Sequence, residues 1–413
     1  MVRPNASRSA TMLTLSVHEN PAPELSVVMP CLNEAETLAA CIEGVTQALL
    51  ACRVRGEIIV ADNGSNDGSA TIAARLGVRV VHVQDKGYGS AIRGGIAVAR
   101  GKYIITVDAD GSHDAAQIPA LLTKLREGYD LVMGNRFKGQ VQSGAMPALH
   151  RYLGSPVLTR LGKLFFRSPC GDQQCGFRGF SQEAFSRLRL QTTGMEFASE
   201  MVLRAACLRM RIAEVPTTQF RAGRLRPPHL RTWRDGWRHL RLMLLYSPRW
   251  LFLYPGVLLV ALGLLVGVWL MPGPRTVKGI TFDIHTILYA AAAVILGVQS
   301  ITFAAFTKVY AIRGGLLPGD RRIEDLLRGR TLELGLIVGA LFTAGGLAIS
   351  VYAVGSWGAQ HFGDMDPIRS MRVVIPAAFL LVLGGQIMLS SFFLNVLLLG
   401  RAAEPEVSDA KLG

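Results

Sequence analysis

The sequence predicts an α/β domain built on a mostly parallel, twisted sheet, followed by a four-helix transmembrane domain. Three observations predict it. Between residues 25 and 137, short apolar, β-branched runs alternate with helical-period stretches and brief polar turns, the pattern of βαβ units. The polar side chains of that stretch gather where its strands end, on the edge at which open parallel sheets bind ligands. Beyond residue 249, four apolar runs at about 250–271, 284–307, 332–355 and 373–399 each exceed the roughly 20 residues a helix needs to cross a hydrocarbon core.

Composition agrees. The 413 residues leave room for two or three domains, 50% are hydrophobic, and the formal net charge is +14. Apolar and basic together point to a membrane protein with cationic cytoplasmic surfaces and an anionic lipid surface as partner, not to a nucleic-acid binder. The six cysteines (Cys31, Cys41, Cys52, Cys170, Cys175 and Cys207) form no CxxC pair, so free thiols are expected and a zinc site is not. Residues 1–23 are polar and lack an apolar signal segment; they read as a loose arm, which leaves the first domain in the cytoplasm.

In chain order, residues 25–29 (LSVVM) form a strand that Pro30 should stop, and Cys31-Leu32-Asn33-Glu34 turns into a helix over 34–50. Residues 57–60 form a second strand ending at Asp62, and the polar turn ADNGSNDGS, with Asp67, leads into a helix over 69–76. A third strand spans 78–83, and Lys86-Gly87-Tyr88-Gly89 opens a helix to Arg100. A buried strand over 103–107 then ends abruptly at Asp108-Ala109-Asp110, where Gly111 lets the backbone turn. A helix over 115–127 and a strand over 130–134, ending at Asn135-Arg136, complete the alternation.

Two acids one residue apart can share a divalent cation, and that cation can grip a diphosphate. Asp62 could accept from a base or ribose hydroxyls, and Lys86 could face a phosphate. Jointly these residues read as a nucleotide-sugar site. Gly87-x-Gly89 followed by Gly94-Gly95 has the wrong spacing for a dinucleotide fingerprint, and no GxxxxGK[ST] occurs.

PxxNE at 30–34, VADNGSNDGS at 60–69, KGYGSAIRGG at 86–95 and DADGSHD at 108–114 resemble family 2 glycosyltransferases of the GT-A fold. GNRF at 134–137, DQQCGFRGF at 172–180 and GMEFASEM at 194–201 narrow the resemblance to polyprenyl-phosphate glycosyltransferases similar to dolichyl-phosphate mannose synthase. The resemblance implies that Pro30, Asn33, Glu34, Asp62, Asp67, Lys86 and Gly87 line the nucleotide-sugar pocket. It implies that Asp108 contacts the nucleotide sugar, that Asp110 holds Mg²⁺ or Mn²⁺, and that Arg136 and Arg178 bind the acceptor phosphate. Some relatives carry a Gln metal ligand where Ser112 stands here; Ser112 or a water would take its place. His113 reads as a structural turn residue. Glu196 and Glu200, spaced i,i+4, would either orient the sugar or form a solvated, Arg-paired helix face. Arg221 and Arg224 are further candidates for the diphosphate.

The chemistry follows from the reactants. A lipid phosphate is already anionic, so it can attack an anomeric carbon without a strong general base, and one in-line displacement inverts that centre. The difficulty is repulsion between phosphates, which cations and bidentate arginines relieve. The implied organisation is an arm over 1–23, a GT-A catalytic domain over 24–220, a basic loop and amphipathic helix over 221–249, a transmembrane domain over 250–400 and a tail over 401–413. In the amphipathic helix Trp233, Trp237, Leu240 and Leu244 share one face, with Arg231, Arg234 and Arg238 beside it, which suits a membrane interface; packing on the catalytic domain is the alternative. The loop after the second apolar run carries Lys308, Arg313, Arg321, Arg322, Arg328 and Arg330, which places it, the catalytic domain and the tail on the cytoplasmic side of the cytoplasmic membrane. Within the runs, Gln299, Gln386 and Asn395 could bond between helices, glycines at 335, 339, 345 and 346 would let helices pack closely, and the bundle could support a homo-oligomer. The expected reaction is sugar transfer from a UDP- or GDP-sugar to polyprenyl phosphate. A processive polysaccharide synthase is the rival within the enzyme class, but only the RW of its QxxRW motif occurs, at Arg249-Trp250. A non-catalytic lipid-phosphate scaffold or flippase subunit is the rival outside it.

Overall fold

The computed structural model describes residues 22–223, 232–319 and 331–399. The arm, the tail, Arg224, Arg226, Arg231 and the four arginines between 321 and 330 lie outside the described residues.

The sheet has seven strands. In chain order they are β1 (Leu25–Cys31), β2 (Gly56–Asp62), β3 (Arg79–His82), β4 (Tyr103–Thr106), β5 (Leu131–Val141), β6 (Arg178–Ser181) and β7 (Ile212–Gln219). Their spatial order is β3-β2-β1-β4-β6-β5-β7. β1 pairs in parallel with both β2 and β4, so the chain steps outward from β1 to β3 and then returns to the other side of β1. That reversal is a topological switch point, and it opens a crevice beyond the carboxyl ends of β1 and β4. β6 inserts antiparallel between β4 and β5, and β7 runs parallel to β5.

β1 does not stop at Pro30. Val28 accepts from Val107 on the β4 side and Cys31 accepts from Asn63 on the β2 side, so Pro30 faces the side on which β4 has already ended. Its missing N–H therefore breaks no ladder bond.

Two-residue alternation builds the two cores. Val27 and Met29 pack with Leu38, Ile42 and Val45 of α1 (Leu38–Cys52) and with Ile118, Leu121 and Leu125 of the later helix over 118–126. Val28 and Ile59 face the other way, toward Ile92, Ile96, Met201 and Val202. After α1 come α2 (Ser69–Arg75), α3 (Tyr88–Ala97), α4 (Ile118–Arg126), α5 (Ser155–Phe166), α6 (Gln182–Leu188) and α7 (Phe197–Cys207). α5 follows a π turn at His150–Gly154.

α8 (Thr232–Leu245) packs on the catalytic domain with one face and leaves the opposite face exposed. Asp235, His239, Leu242 and Met243 are buried against the domain, and Leu242 and Met243 cluster with Leu203, Leu158 and Phe165. Trp233 and Trp237 point outward, 82% and 58% exposed.

The apolar runs form α9 (Tyr254–Leu270, entered through a π turn at Arg249–Leu253), α10 (Ile284–Arg313), α11 (Thr331–Gly358) and α12 (Pro367–Leu399). α10 and α12 extend past the apolar runs by a turn or more, into the polar segments at 308–313 and 367–372. A small hairpin, β8 (Arg275–Val277) with β9 (Ile280–Phe282), joins α9 to α10. Helices approach closely at glycines: a Cβ on Gly339 would meet the Gly384 carbonyl at 2.8 Å, and one on Gly346 the Ala377 carbonyl at 2.9 Å. A Cβ on Gly345 would meet only Leu380, at 3.9 Å. Among the described residues Gln386 Nε2 is buried without a hydrogen-bond partner, so that amide nitrogen makes no bond between helices.

Candidate active site

The loops after β1 and β2 are stitched together. Asn33 takes a left-handed backbone (φ 57°), its amide donates to Ser65 Oγ, and its Oδ1 accepts from Asn66 N at 2.8 Å. Glu34 N donates to Ser69 Oγ, and Asp67 accepts from Ala35 N, Ser69 N and the Ser69 hydroxyl. Burial opposes it, but those bonds hold the Asp67 carboxyl below its ordinary range. Asp62, at the end of β2, accepts from Gly64 N and Ser65 N and lies 3.2 Å from His82 Nδ1. The acids and amides of both motifs thus tie the loops after β1 and β2 into one unit.

Asn63 was not singled out from the sequence, yet it is the hub of the next loop. Its Oδ1 accepts from Gly87 N, its Nδ2 donates to the Val83 and Asp85 carbonyls, and its own carbonyl accepts from Lys86 Nζ at 2.9 Å. Lys86 therefore brings its charge onto the β2 loop. Gly87 is needed twice over: its φ is 128°, and a Cβ would lie 2.2 Å from the Thr193 carbonyl.

β4 delivers Asp108 and Asp110 to the crevice. Asp108 accepts from Tyr88 OH at 3.0 Å, lies 3.7 Å from His113 Nδ1, and sits so near Gly176 that a Cβ there would be 2.6 Å from its Oδ2. Burial raises its carboxyl above the ordinary range; His113 opposes the rise and Asp110 adds to it. His113 stacks on Phe177 and receives Asp108 N at 3.4 Å, a supporting role. Tyr88 is a second contact missed from sequence; its place in KGYG was the available signal. Asp110 Oδ1 accepts from Ser112 N. Its carbonyl accepts from Gly223 N, Ser112 O accepts from Phe220 N, and His113 bridges to Gln219, so the chain leaving β7 folds back over the acidic loop. Arg221 lines a cavity of about 720 Å³ on the α1 side of that loop, with Thr37, Cys41, Gly111, His113 and Phe220.

Among the described residues, no group of three or more His, Cys, Asp or Glu side chains could enclose a metal ion. Two carboxylates one residue apart in the chain, with a serine hydroxyl two residues on, nevertheless fit Mg²⁺ or Mn²⁺, which take oxygen ligands and complete their shells with water and substrate phosphates. The donor set at Asp108, Asp110 and Ser112 suits such an ion and no thiophilic one.

The two arginines differ. Arg136 makes a fork to Asp172, with Nε–Oδ2 at 2.6 Å and Nη2–Oδ1 at 2.8 Å, and its Nη1 reaches Gln219 Oε1 at 3.4 Å. Arg178, expected at the acceptor phosphate, is 3% exposed and donates from Nε, Nη1 and Nη2 to the carbonyls of Cys175, Ala198 and Gln173. Its reach is spent inside the domain, where it fixes the loop over 173–178. Glu200 departs from both of its expected readings. It is fully buried and accepts from Gln191 N, Thr192 N, the Thr192 hydroxyl and Tyr246 OH, because α8 covers that face of α7. Glu196 is half-buried beside Gly194, and its Oε2 has no hydrogen-bond partner. The six cysteines are free, and burial pushes the Cys175 thiol up to about 12.

A family model described as glycosyl transferase family 2 matches residues 26–189, and one for the family 2 C-terminal transmembrane region matches residues 305–398. The low-salt glycan biosynthesis hexosyltransferase Agl6 of Haloferax volcanii is 37% identical over 94% of this chain and 92% of its own length. A dolichyl-phosphate hexose transferase of the same organism is 27% identical over 47% of this chain and 81% of its own. Among solved structures, glucosyl-3-phosphoglycerate synthase of Mycobacterium tuberculosis, in complex with Mn²⁺, UDP and glucosyl-3-phosphoglycerate, matches 54% of this chain and 79% of its own at 23% identity and a TM-score of 0.42.

Proposed function

The chain belongs to glycosyltransferase family 2 and carries a C-terminal membrane region. From that premise we propose that it transfers a sugar from a UDP- or GDP-sugar to polyprenyl phosphate at the cytoplasmic face of the cytoplasmic membrane. One observation carries the reading. Asp108 and Asp110 stand at the end of β4, beside the β1/β4 switch point, and share that edge with the stitched loops of Asn33, Glu34, Asp62 and Asp67 and with Lys86. The same chain continues directly into four apolar helices.

In this reading Pro30, Asn33, Glu34, Asp62, Asp67 and Gly87 shape the nucleoside pocket, and Lys86 stands near the diphosphate. Asp110, with Asp108 and Ser112 beside it, would hold Mg²⁺ or Mn²⁺, which supplies charge screening for the leaving diphosphate. Arg136, oriented by Asp172, faces the acceptor phosphate. A phosphate oxygen forms a bond to the anomeric carbon as the bond to the β-phosphate oxygen breaks, so the electron pair leaves on the nucleoside diphosphate. The anomeric centre inverts and no protein base has to take a proton. Arg178 supports the loop from within, and Glu196 is the carboxylate placed to read a sugar hydroxyl.

Three features support the membrane side. Exposed Trp233 and Trp237 lie on a basic helix, suited to an anionic headgroup layer. Phe165 stacks on Trp250 at the start of the first span. Arg204 of the catalytic domain donates to Gly315 O at 2.6 Å, which puts the loop after α10 on the domain's side of the bundle.

The test is a donor screen. Purified protein in detergent receives undecaprenyl phosphate, Mg²⁺ or Mn²⁺, and each common nucleotide sugar in turn. Lipid-dependent release of UDP or GDP with one donor, lost in Asp110→Ala and with EDTA, is the expected result. Release by Asp110→Ala at the wild-type rate would refute it.

A further inference from the structure

The carbonyl between the two acids is held from α1. Ala109 O accepts from Thr37 Oγ1 at 2.7 Å and from Cys41 Sγ at 3.5 Å, across 72 and 68 residues of sequence. Thr37 and Ala109 are both buried. Thr37 is itself fixed: its amide and its hydroxyl both reach the Glu34 carbonyl, at 3.1 and 3.4 Å, inside the turn of the PxxNE motif. Its methyl lies against Gly223, where a Cβ would approach it to 3.0 Å, and Gly223 N donates to Asp110 O. His113, Thr37, Cys41 and Gly223 thus all contact the main chain of Asp108-Ala109-Asp110 in the crevice.

We propose that Thr37, assisted by Cys41, is a positioning residue that sets the spacing of the Asp108 and Asp110 carboxylates by holding the Ala109 peptide, and so couples the nucleotide loop to the metal-binding loop. The peptide plane at 109–110 decides where the Asp110 side chain leaves the backbone. Two donors on one lone carbonyl fix that plane. Without the Thr37 hydroxyl a buried acceptor keeps only a weak thiol partner, and the plane turns to find water or another donor. The inference rests on the metal reading of Asp110 given above.

The test measures metal binding apart from turnover. Mn²⁺ is titrated by EPR into the full chain in detergent, with saturating UDP or GDP, for wild type, Thr37→Val, Thr37→Ser and Asp110→Ala. Thr37→Val keeps the shape and loses the hydroxyl; its Mn²⁺ dissociation constant should rise about tenfold, the size expected from one lost buried hydrogen bond. Thr37→Ser should stay within about threefold of wild type, and Asp110→Ala should lose the bound signal. Thr37→Val with wild-type Mn²⁺ affinity and a lowered melting temperature would make Thr37 a helix-start residue only, and overturn the inference. If Thr37→Val does not fold, Cys41→Ala removes the second donor, and an unchanged Mn²⁺ affinity there overturns it equally. Wild-type protein that binds Mn²⁺ no better than Asp110→Ala removes the metal from the site, and the positioning role with it.

Discussion

At the scale of the residue, the site is a set of acids and amides whose partners are mostly main chain. The motif residues were legible because each falls where an apolar run breaks. What sequence could not give was the pairing: Asp172 lies 36 residues from Arg136 and Tyr88 lies 20 from Asp108, and only the fold brings them together. Arg178 shows the limit most plainly, since an arginine in a motif reads as a phosphate ligand until its three carbonyl partners are seen. Removing one partner of the buried Arg136–Asp172 fork should be costly: Asp172→Ala should destabilise the domain by about 3–5 kcal/mol, measured by thermal unfolding in detergent. A wild-type melting temperature would show that the pair is not structural. His239 gives a pH signature. Its Nδ1 faces the Ser199 hydroxyl, which accepts from Gln174, and burial, with help from Arg178 against the pull of Asp235, lowers its value to about 4. The folded state thus refuses a proton that the unfolded chain binds near pH 6.5. Stability is full above about 6.5 and declines by up to about 3 kcal/mol as pH falls toward 4. His239→Gln should flatten that part of the melting-temperature profile; an unaltered profile would place the proton uptake elsewhere.

At the scale of the element, periodicity was a sound guide where one face is buried and a poor one where both are used. β1, β2 and β4 and the four spans lie where apolar runs predicted them. β6 and β7 went unassigned because their short runs, RGFS and IAEVPTTQ, show neither a long apolar stretch nor clean alternation. α8 looked like a choice between membrane and domain because a single helical wheel carries both faces. In the fold, Leu242 and Met243 dock while Trp233 and Trp237 remain outside. The outer face should enter the headgroup layer. In nanodiscs containing brominated lipids, replacing Trp233 and Trp237 by Tyr should remove a large part of the tryptophan quenching. Equal quenching before and after would leave that face in water.

At the scale of the whole molecule, the soluble and membrane parts are fastened at named points. Arg204 reaches Gly315 and Phe165 meets Trp250, while within the bundle Arg313 of α10 donates to the Leu397 and Leu398 carbonyls of α12, where a helix C-terminus favours a cation. At the opposite end of the bundle Arg372 joins Asp283 and the Leu270 carbonyl. These clamps would hold the crevice at a fixed height above the bilayer, where a lipid phosphate could reach it without leaving the membrane. The arrangement predicts sidedness: in sealed cells, a cysteine introduced at Lys278, in the β8–β9 hairpin, should react with a membrane-impermeant thiol reagent, and one introduced at Leu317 should not. The reverse pattern would invert the topology. The most direct measurement is the identity of both products in one reaction. With the active donor and undecaprenyl phosphate, mass spectrometry should find a lipid monophosphate sugar and one nucleoside diphosphate for each, both absent in Asp110→Ala. A lipid diphosphate sugar with release of the nucleoside monophosphate, or nucleotide release with no change in the lipid, would contradict transfer of the sugar to a polyprenyl phosphate.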